Sequence, residues 1–201
     1  GSYRDIPASI SAGYSIVADE FLQQVDATPT HVFLQAGVGQ LASGMINAII
    51  DHLPAEMLPT ITIVEPATVA CYFLSAQKAD GQPHTVPGSP QTIMAGLNCQ
   101  TTSAISWPVI RDSAKFYGTL TDDVAAAGMR QLAKPVGNDH PIVSGESGAA
   151  AFAFVNEVLR NPANQNLRQA LNLDDTARIL VINTEGATDP INYQKIINHN
   201  A

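Results

Sequence analysis

An apolar run that breaks into glycines and resumes as an apolar stretch of helical length folds as a strand turning into a helix. Residues 31–45, HVFLQAGVGQLASGM, have that form. His31–Leu34 reads as a buried strand. Gly37-Val38-Gly39 turns the chain, and an apolar helix follows from Gln40 to about Ile50. The two glycines permit φ > 0 and leave no Cβ in the way of a ligand. The first N–H groups of the helix have no partner inside it, and its dipole favours an anion beside them. A phosphate is the expected guest. A tight turn with no ligand is the plain alternative, because short glycine motifs are common.

The rest of the chain repeats this alternation. Ile6–Val25 reads as an amphipathic helix, with Ile10, Tyr14, Val17, Ala18, Phe21, Leu22 and Val25 on one face. Thr60–Pro66 is a β-branched strand ending at Glu65-Pro66, and a helix follows from Cys71 to Ala76. Strand, helix, strand in this order implies a parallel sheet. Ala79–Pro90 reads as a surface loop, and Thr92–Cys99 has no assignable pattern. Trp107–Phe116 is expected as a helix and Tyr117–Leu120 as a short strand. Thr121 is then an N-cap, with Asp122 and Asp123 in the first turn of a helix to about Ala133. Pro135–Pro141 is a loop. Ile142–Gly148 is a second glycine-bearing turn, into a helix over Ala149–Leu159. A further helix over Asn164–Leu171, a last buried strand over Ala177–Ile182 and a polar turn over Asn183–Pro190 complete the pattern.

The expected fold is therefore α/β: three layers, a mostly parallel sheet of about four strands, and helices on both faces. Gly1-Ser2 is read as a cloning remnant and residues 3–201 as a single α/β domain. Ligands of open α/β sheets collect at the carboxyl ends of the strands. Residues 35–41, 144–148 and 183–189 all follow strand-like runs, so one cleft can gather them.

Composition narrows the function classes. Apolar residues make up 45% of the 201, enough for a sizeable core, while charged residues are only 14%. So few charges point to surface buried against another part of a protein or another subunit. The net charge of −8, with ten scattered basic residues, argues against nucleic-acid binding. No stretch has the length of a membrane span, and no export signal is visible, so a cytoplasmic protein is expected. The histidines are dispersed, and no Cys-x-x-Cys spacing suggests a metal.

Two ligands suit the glycine loop. Gly37-x-Gly39-x-x-Ala42 fits the dinucleotide fingerprint, with Glu65 as the acidic residue ending the next strand. That would make the chain a nicotinamide or flavin domain. Against it, a helix precedes the first strand, and Glu65 lies late and before a proline; a local capping role suits it as well. The other ligand is pyridoxal phosphate, held at the loop by its phosphate. Its pyridine nitrogen would then meet a strand-end hydroxyl or amide, for which Asn183 and Thr184 are placed. A hydroxyl there suits an unprotonated ring, whereas a carboxylate would favour the pyridinium. A non-catalytic α/β interaction domain is the third reading.

Several blocks, in order, carry a resemblance. They are THVFLQAGVG at Thr30–Gly39, IVEP at Ile63–Pro66, TIMAGL at Thr92–Leu97, GMR at Gly128–Arg130, SGESGA at Ser144–Ala149 and NTEGATD at Asn183–Asp189. Together, over about Tyr3 to Tyr193, the chain resembles the diaminopropionate ammonia-lyase family. That family belongs to the fold type II pyridoxal phosphate enzymes, with threonine dehydratase and the tryptophan synthase β chain. The resemblance implies elimination on 2,3-diaminopropionate: the α-proton is removed, the β-amino group leaves, and hydrolysis gives pyruvate and a second ammonia. It implies a phosphate loop at Gly37, Val38, Gly39, Gln40 and Leu41, and a strand-end turn at Asn183 and Thr184. It places Ser144 and Glu146 on the cofactor's other side.

The resemblance also marks what differs. Family members are longer, and this chain matches their carboxyl-terminal half. The family's Schiff-base lysine, in an Asn-x-Phe-Lys setting, and its acid/base aspartates lie upstream. The lysines here, Lys78, Lys115, Lys134 and Lys195, have no such setting and read as surface residues. The implied parent is a carbon–nitrogen lyase of amino-acid catabolism, a homodimer by family habit. This chain alone is expected to be inactive and, with apolar surface uncovered, to self-associate. Cys71 and Cys99 flank the expected cleft. A disulfide between them, which needs Cα atoms within about 7 Å, is weighed against two free thiols, the default for a chain with no export signal.

Overall fold

The computed structural model describes residues 27–199, together with 13, 16, 17, 20, 21 and 23–25. Much of the helix expected over Ile6–Val25 falls outside the described residues. Those described from Gly13 to Gln24 are helical, and Phe21 packs against the core.

The elements run β1 His31–Gln35, α1 Gln40–His52, β2 Thr60–Pro66, α2 Cys71–Lys78, α3 Ser106–Ser113 and β3 Phe116–Leu120. They continue with α4 Asp122–Ala133, α5 Ala150–Arg160, α6 Gln165–Ala170, β4 Ile179–Val181 and α7 Pro190–Asn198. The strands lie in the order β3-β2-β1-β4, all pairings parallel, with His31 beside both Thr60 and Ile179.

Alternation along the strands divides the core. Val32, Leu34, Ile61 and Ile63 face α1, α2 and α3, where Met45, Ile46, Ile49, Tyr72, Trp107 and Ile110 close one layer. Phe33 and Val64 face the opposite way, against Ala125 of α4 and Ala153, Phe154 and Val158 of α5. Both faces of the sheet are thus covered, which is why β1 and β2 read as apolar runs rather than as alternating ones. The fold is the expected three-layer α/β arrangement of four parallel strands.

Three local expectations need correction. The helix expected to reach Phe116 stops at Ser113, because the Lys115 N–H already bonds the Ile61 carbonyl and Phe116 begins β3. The last strand is shorter than expected, and Ile179, Leu180 and Val181 are only half-buried, because β4 is a sheet edge paired on one side, with β1. Helix α7 was not foreseen, although its signal is present: Asp189 accepts the N–H groups of Ile191 and Asn192, and Pro190 occupies the first turn. Thr121 does stand at the N-cap position of α4, but its side chain makes no capping bond. Its neighbour Asp122 instead accepts from the Thr92 hydroxyl and the Ile93 N–H, pinning the unassigned 92–99 segment, which contains one short turn at Ala95–Leu97.

Candidate functional site

β1 and β4 are neighbours whose carboxyl ends send the chain to opposite faces. After β1 it enters α1. After β4 it reaches α7, whose Tyr193 packs on Met129 and Ala149. A crevice opens where such strands diverge. Here it is a cleft of about 360 Å³. Gly37, Val38, Gly39, Gln40 and Leu41 line it on one side and Thr184 on the other, so the two turns expected to meet do meet.

The glycine loop is shaped by its neighbours. Gly39 holds φ +91°, and a Cβ there would lie 2.0 Å from the Tyr72 hydroxyl oxygen. A Cβ on Gly37 would lie 2.9 Å from the Gly96 carbonyl oxygen. No larger residue fits either position without displacement. The N–H groups of Gly39, Gln40 and Leu41 donate to no group among the described residues. They are the orphan donors of the α1 start and open on the cleft.

Gln35 belongs to the 35–41 run expected at the cleft, although the sequence does not single it out as a site residue. It ends β1, is 2% exposed, and lines the cleft. Its Nε2 donates to the Ile182 carbonyl at 2.9 Å and to the Thr184 hydroxyl oxygen at 3.0 Å. The Ile182 carbonyl can only accept, so the amide orientation is fixed and Oε1 is left buried with no partner. A buried acceptor without a donor is costly.

Asn183, Ser144 and Glu146 do not line the cleft. The Ser144 hydroxyl, fully buried, donates to Asn183 Oδ1 at 2.8 Å, while Asn183 Nδ2 donates to the Val143 carbonyl at 2.9 Å. Glu146 accepts from Asn192 of α7 at 2.6 Å. These residues tie the 142–148 turn to the 183–189 turn and to α7. The residues of these turns that line the cleft are Ser147, Thr184 and Glu185. Glu185 Oε2 accepts the N–H groups of Ser147 (2.8 Å) and Gly148 (3.1 Å), ahead of α5. The Ser147 hydroxyl oxygen accepts the Gly96 N–H at 2.9 Å, joining the third wall, Gly96 and Leu97.

Glu65, the acidic residue of the dinucleotide reading, points elsewhere. It is 1% exposed, and its two carboxylate oxygens accept the N–H groups of Tyr72 (2.9 Å) and Phe73 (2.8 Å). It caps α2. Burial pushes its carboxyl up from 4.5 to about 7, against the lowering effect of those two bonds. Cys71 and Cys99 are free thiols, the first buried and the second half-buried. Burial raises the pKa of both. None of the four lysines lines the cleft; Lys115 sits over the Phe116 ring, 5.6 Å from its centroid. Among the described residues, no cluster of three or more His, Cys, Asp or Glu side chains is placed to hold a metal, and no helix is long and apolar enough to cross a membrane.

Free N–H groups at a glycine turn and a facing hydroxyl fit a phosphorylated, hydrogen-bonding cofactor. A family model described as pyridoxal-phosphate dependent enzyme matches residues 4–185. The chain belongs to that family. Among other members, the diaminopropionate ammonia-lyase of Salmonella typhimurium is 42% identical over 200 residues, covering 97% of this chain and 49% of that protein. The Escherichia coli K12 diaminopropionate ammonia-lyase is 41% identical over 198 residues, again with 97% and 49% covered. The crystal structure of the Escherichia coli enzyme in complex with an aminoacrylate-PLP azomethine reaction intermediate superposes with a TM-score of 0.88 at 39% identity, covering 98% of this chain and 50% of that one. A threonine deaminase structure at 19% identity, with a TM-score of 0.69, shares the fold. This pyridoxal phosphate enzyme chain spans about half the length of the curated relatives it matches.

Proposed function

We propose that this chain forms the phosphate- and ring-binding side of a pyridoxal 5'-phosphate site in a lyase that converts 2,3-diaminopropionate to pyruvate and ammonia. The observation that carries the reading is the meeting, in one cleft, of the unpaired N–H groups of Gly39, Gln40 and Leu41 with the hydroxyl of Thr184. The N–H groups hold the phosphate, aided by the α1 dipole. Thr184 faces the pyridine ring. One lone pair of its oxygen takes the Gln35 amide, so its own O–H is free to donate to the ring nitrogen and keep it unprotonated. Bound there, the cofactor supplies an electron sink for charge developed at the substrate α-carbon. Gln35, Ser147 and Glu185 set the width of the cleft, and Asn183, Ser144 and Glu146 hold its turns in place.

No lysine of this chain reaches the cleft, so the amine that holds the cofactor aldehyde comes from the remainder of a longer protein of the relatives' length. The working enzyme is a cytoplasmic homodimer on this reading. Glu65 is engaged at α2, which leaves the dinucleotide reading without its ribose partner.

Pyruvate release tests the proposal. The product of the full reading frame, supplied with pyridoxal phosphate, should release pyruvate and ammonia from 2,3-diaminopropionate. The 201-residue chain alone should release none and show no imine absorbance band with the cofactor. No pyruvate from the full product, or pyruvate from the 201-residue chain, would overturn the reading.

A further inference from the structure

Tyr72, on α2, does not line the cleft, yet it reaches the glycine loop. Its side chain is fully buried, with the ring tilted 44° against Trp107 at 6.0 Å. The hydroxyl donates to the Val38 carbonyl oxygen at 2.7 Å, and that same oxygen also accepts the Ser103 N–H at 3.1 Å. The other end of the residue is held as well: its backbone N–H donates to Glu65, at the end of β2. Tyr72 therefore braces the carboxyl end of β2 against the turn that follows β1.

The peptide bond turns this brace into a function. In a trans peptide the C=O and the following N–H point in opposite directions, and the chain has no cis peptide among its described residues. Fixing the Val38 carbonyl toward Tyr72 and Ser103 therefore fixes the Gly39 N–H away from them. Gly39 lines the cleft, and its N–H makes no bond among the described residues. Without the phenol, the Val38–Gly39 peptide would keep only the longer bond from Ser103, and glycine at 39 would allow the plane to rotate.

We propose that Tyr72 is a positioning residue for anion binding: by holding the Val38 carbonyl, it aims the Gly39 N–H at the cofactor phosphate without touching the cofactor. The proposal rests on the reading of Gly37–Leu41 as the phosphate loop, and its test separates the two. Titrate the 201-residue chain and its Tyr72→Phe variant with pyridoxal 5'-phosphate and, in parallel, with pyridoxal, which lacks the phosphate. The wild-type chain should bind the phosphorylated ligand more tightly. Tyr72→Phe should lose about tenfold in affinity for the phosphorylated ligand, the scale of one hydrogen bond to a charged group, and nothing for pyridoxal. A merely structural role would weaken both ligands alike. Equal wild-type affinity for both would overturn the phosphate-loop reading and the proposal with it. A wild-type preference that Tyr72→Phe retains would overturn the proposal alone. A second readout needs no variant: in an ¹⁵N-resolved NMR titration of the wild-type chain, pyridoxal phosphate should move the Gly39 amide proton downfield. An unmoved Gly39 amide in a chain that prefers the phosphorylated ligand would also overturn the proposal.

Discussion

Gly39 shows how much of this site is decided by single atoms. Its left-handed backbone and the Tyr72 hydroxyl 2.0 Å from a would-be Cβ both exclude a side chain. Gly39→Ala should cost about 2 kcal/mol or more, the sum of backbone strain and a forced shift of Tyr72. In a chain of this size that lowers the thermal midpoint by at least about 4 °C, measurable by circular dichroism, and binding of the phosphorylated cofactor should fall with it. An alanine variant as stable as wild type would mean that the loop relaxes freely. The two loop glycines were legible in the sequence because φ > 0 and close approach leave one residue type. Gln35 was placed at the cleft with the rest of 35–41, but its role was not legible, because it comes from Ile182 and Thr184, about 150 residues along the chain, and no local pattern records that.

At the scale of elements, α2 shows an acidic residue used for folding. Glu65 caps its first turn from the end of β2, with a carboxyl pushed up to about 7 by burial. Between pH 4.5 and 7 the folded chain holds a proton at this position that the unfolded chain has lost. Stability contributed by this group therefore falls as pH rises through that window, by on the order of 3 kcal/mol, and levels off above it. Glu65→Gln removes the titration. Urea denaturation of both proteins across pH 4.5–8 should show wild-type stability declining relative to the variant up to pH 7; a flat difference would contradict the burial argument. The neighbouring elements show what sequence periodicity reads well and what it misses. β1 and β2 were legible as apolar runs buried on both faces, and α1 and α5 because each buries a regular apolar face. The ends of α3 and β3 were not, because a single bond, from Lys115 to the Ile61 carbonyl, decides where helix gives way to strand. The capping of the α5 start by Glu185 was hidden for the same reason as Gln35: the partners are far apart in sequence.

At the scale of the whole molecule, the sheet has two open edges among the described residues, and the sequence is short of charge. β4 is half-buried although apolar, and Val136, Ile142 and Val143 are about half exposed or more. With charged residues at only 14%, such a surface favours association. Light scattering of the 201-residue chain should give a mass above that of one chain, rising with concentration; a strictly monomeric solution would contradict this. The α/β class and strand count followed from the order of strand-like and helical runs, whereas the assignment of a cofactor came from resemblance, since the glycine fingerprint alone suits two ligands. The most direct measurement is a crystal structure with pyridoxal 5'-phosphate bound. The phosphate should accept from the N–H groups of Gly39, Gln40 and Leu41, with the ring nitrogen at the Thr184 hydroxyl. A phosphate seated elsewhere, such as the separate pocket lined by Gln131, His140 and Arg160, or a ring turned away from Thr184, would contradict the site described.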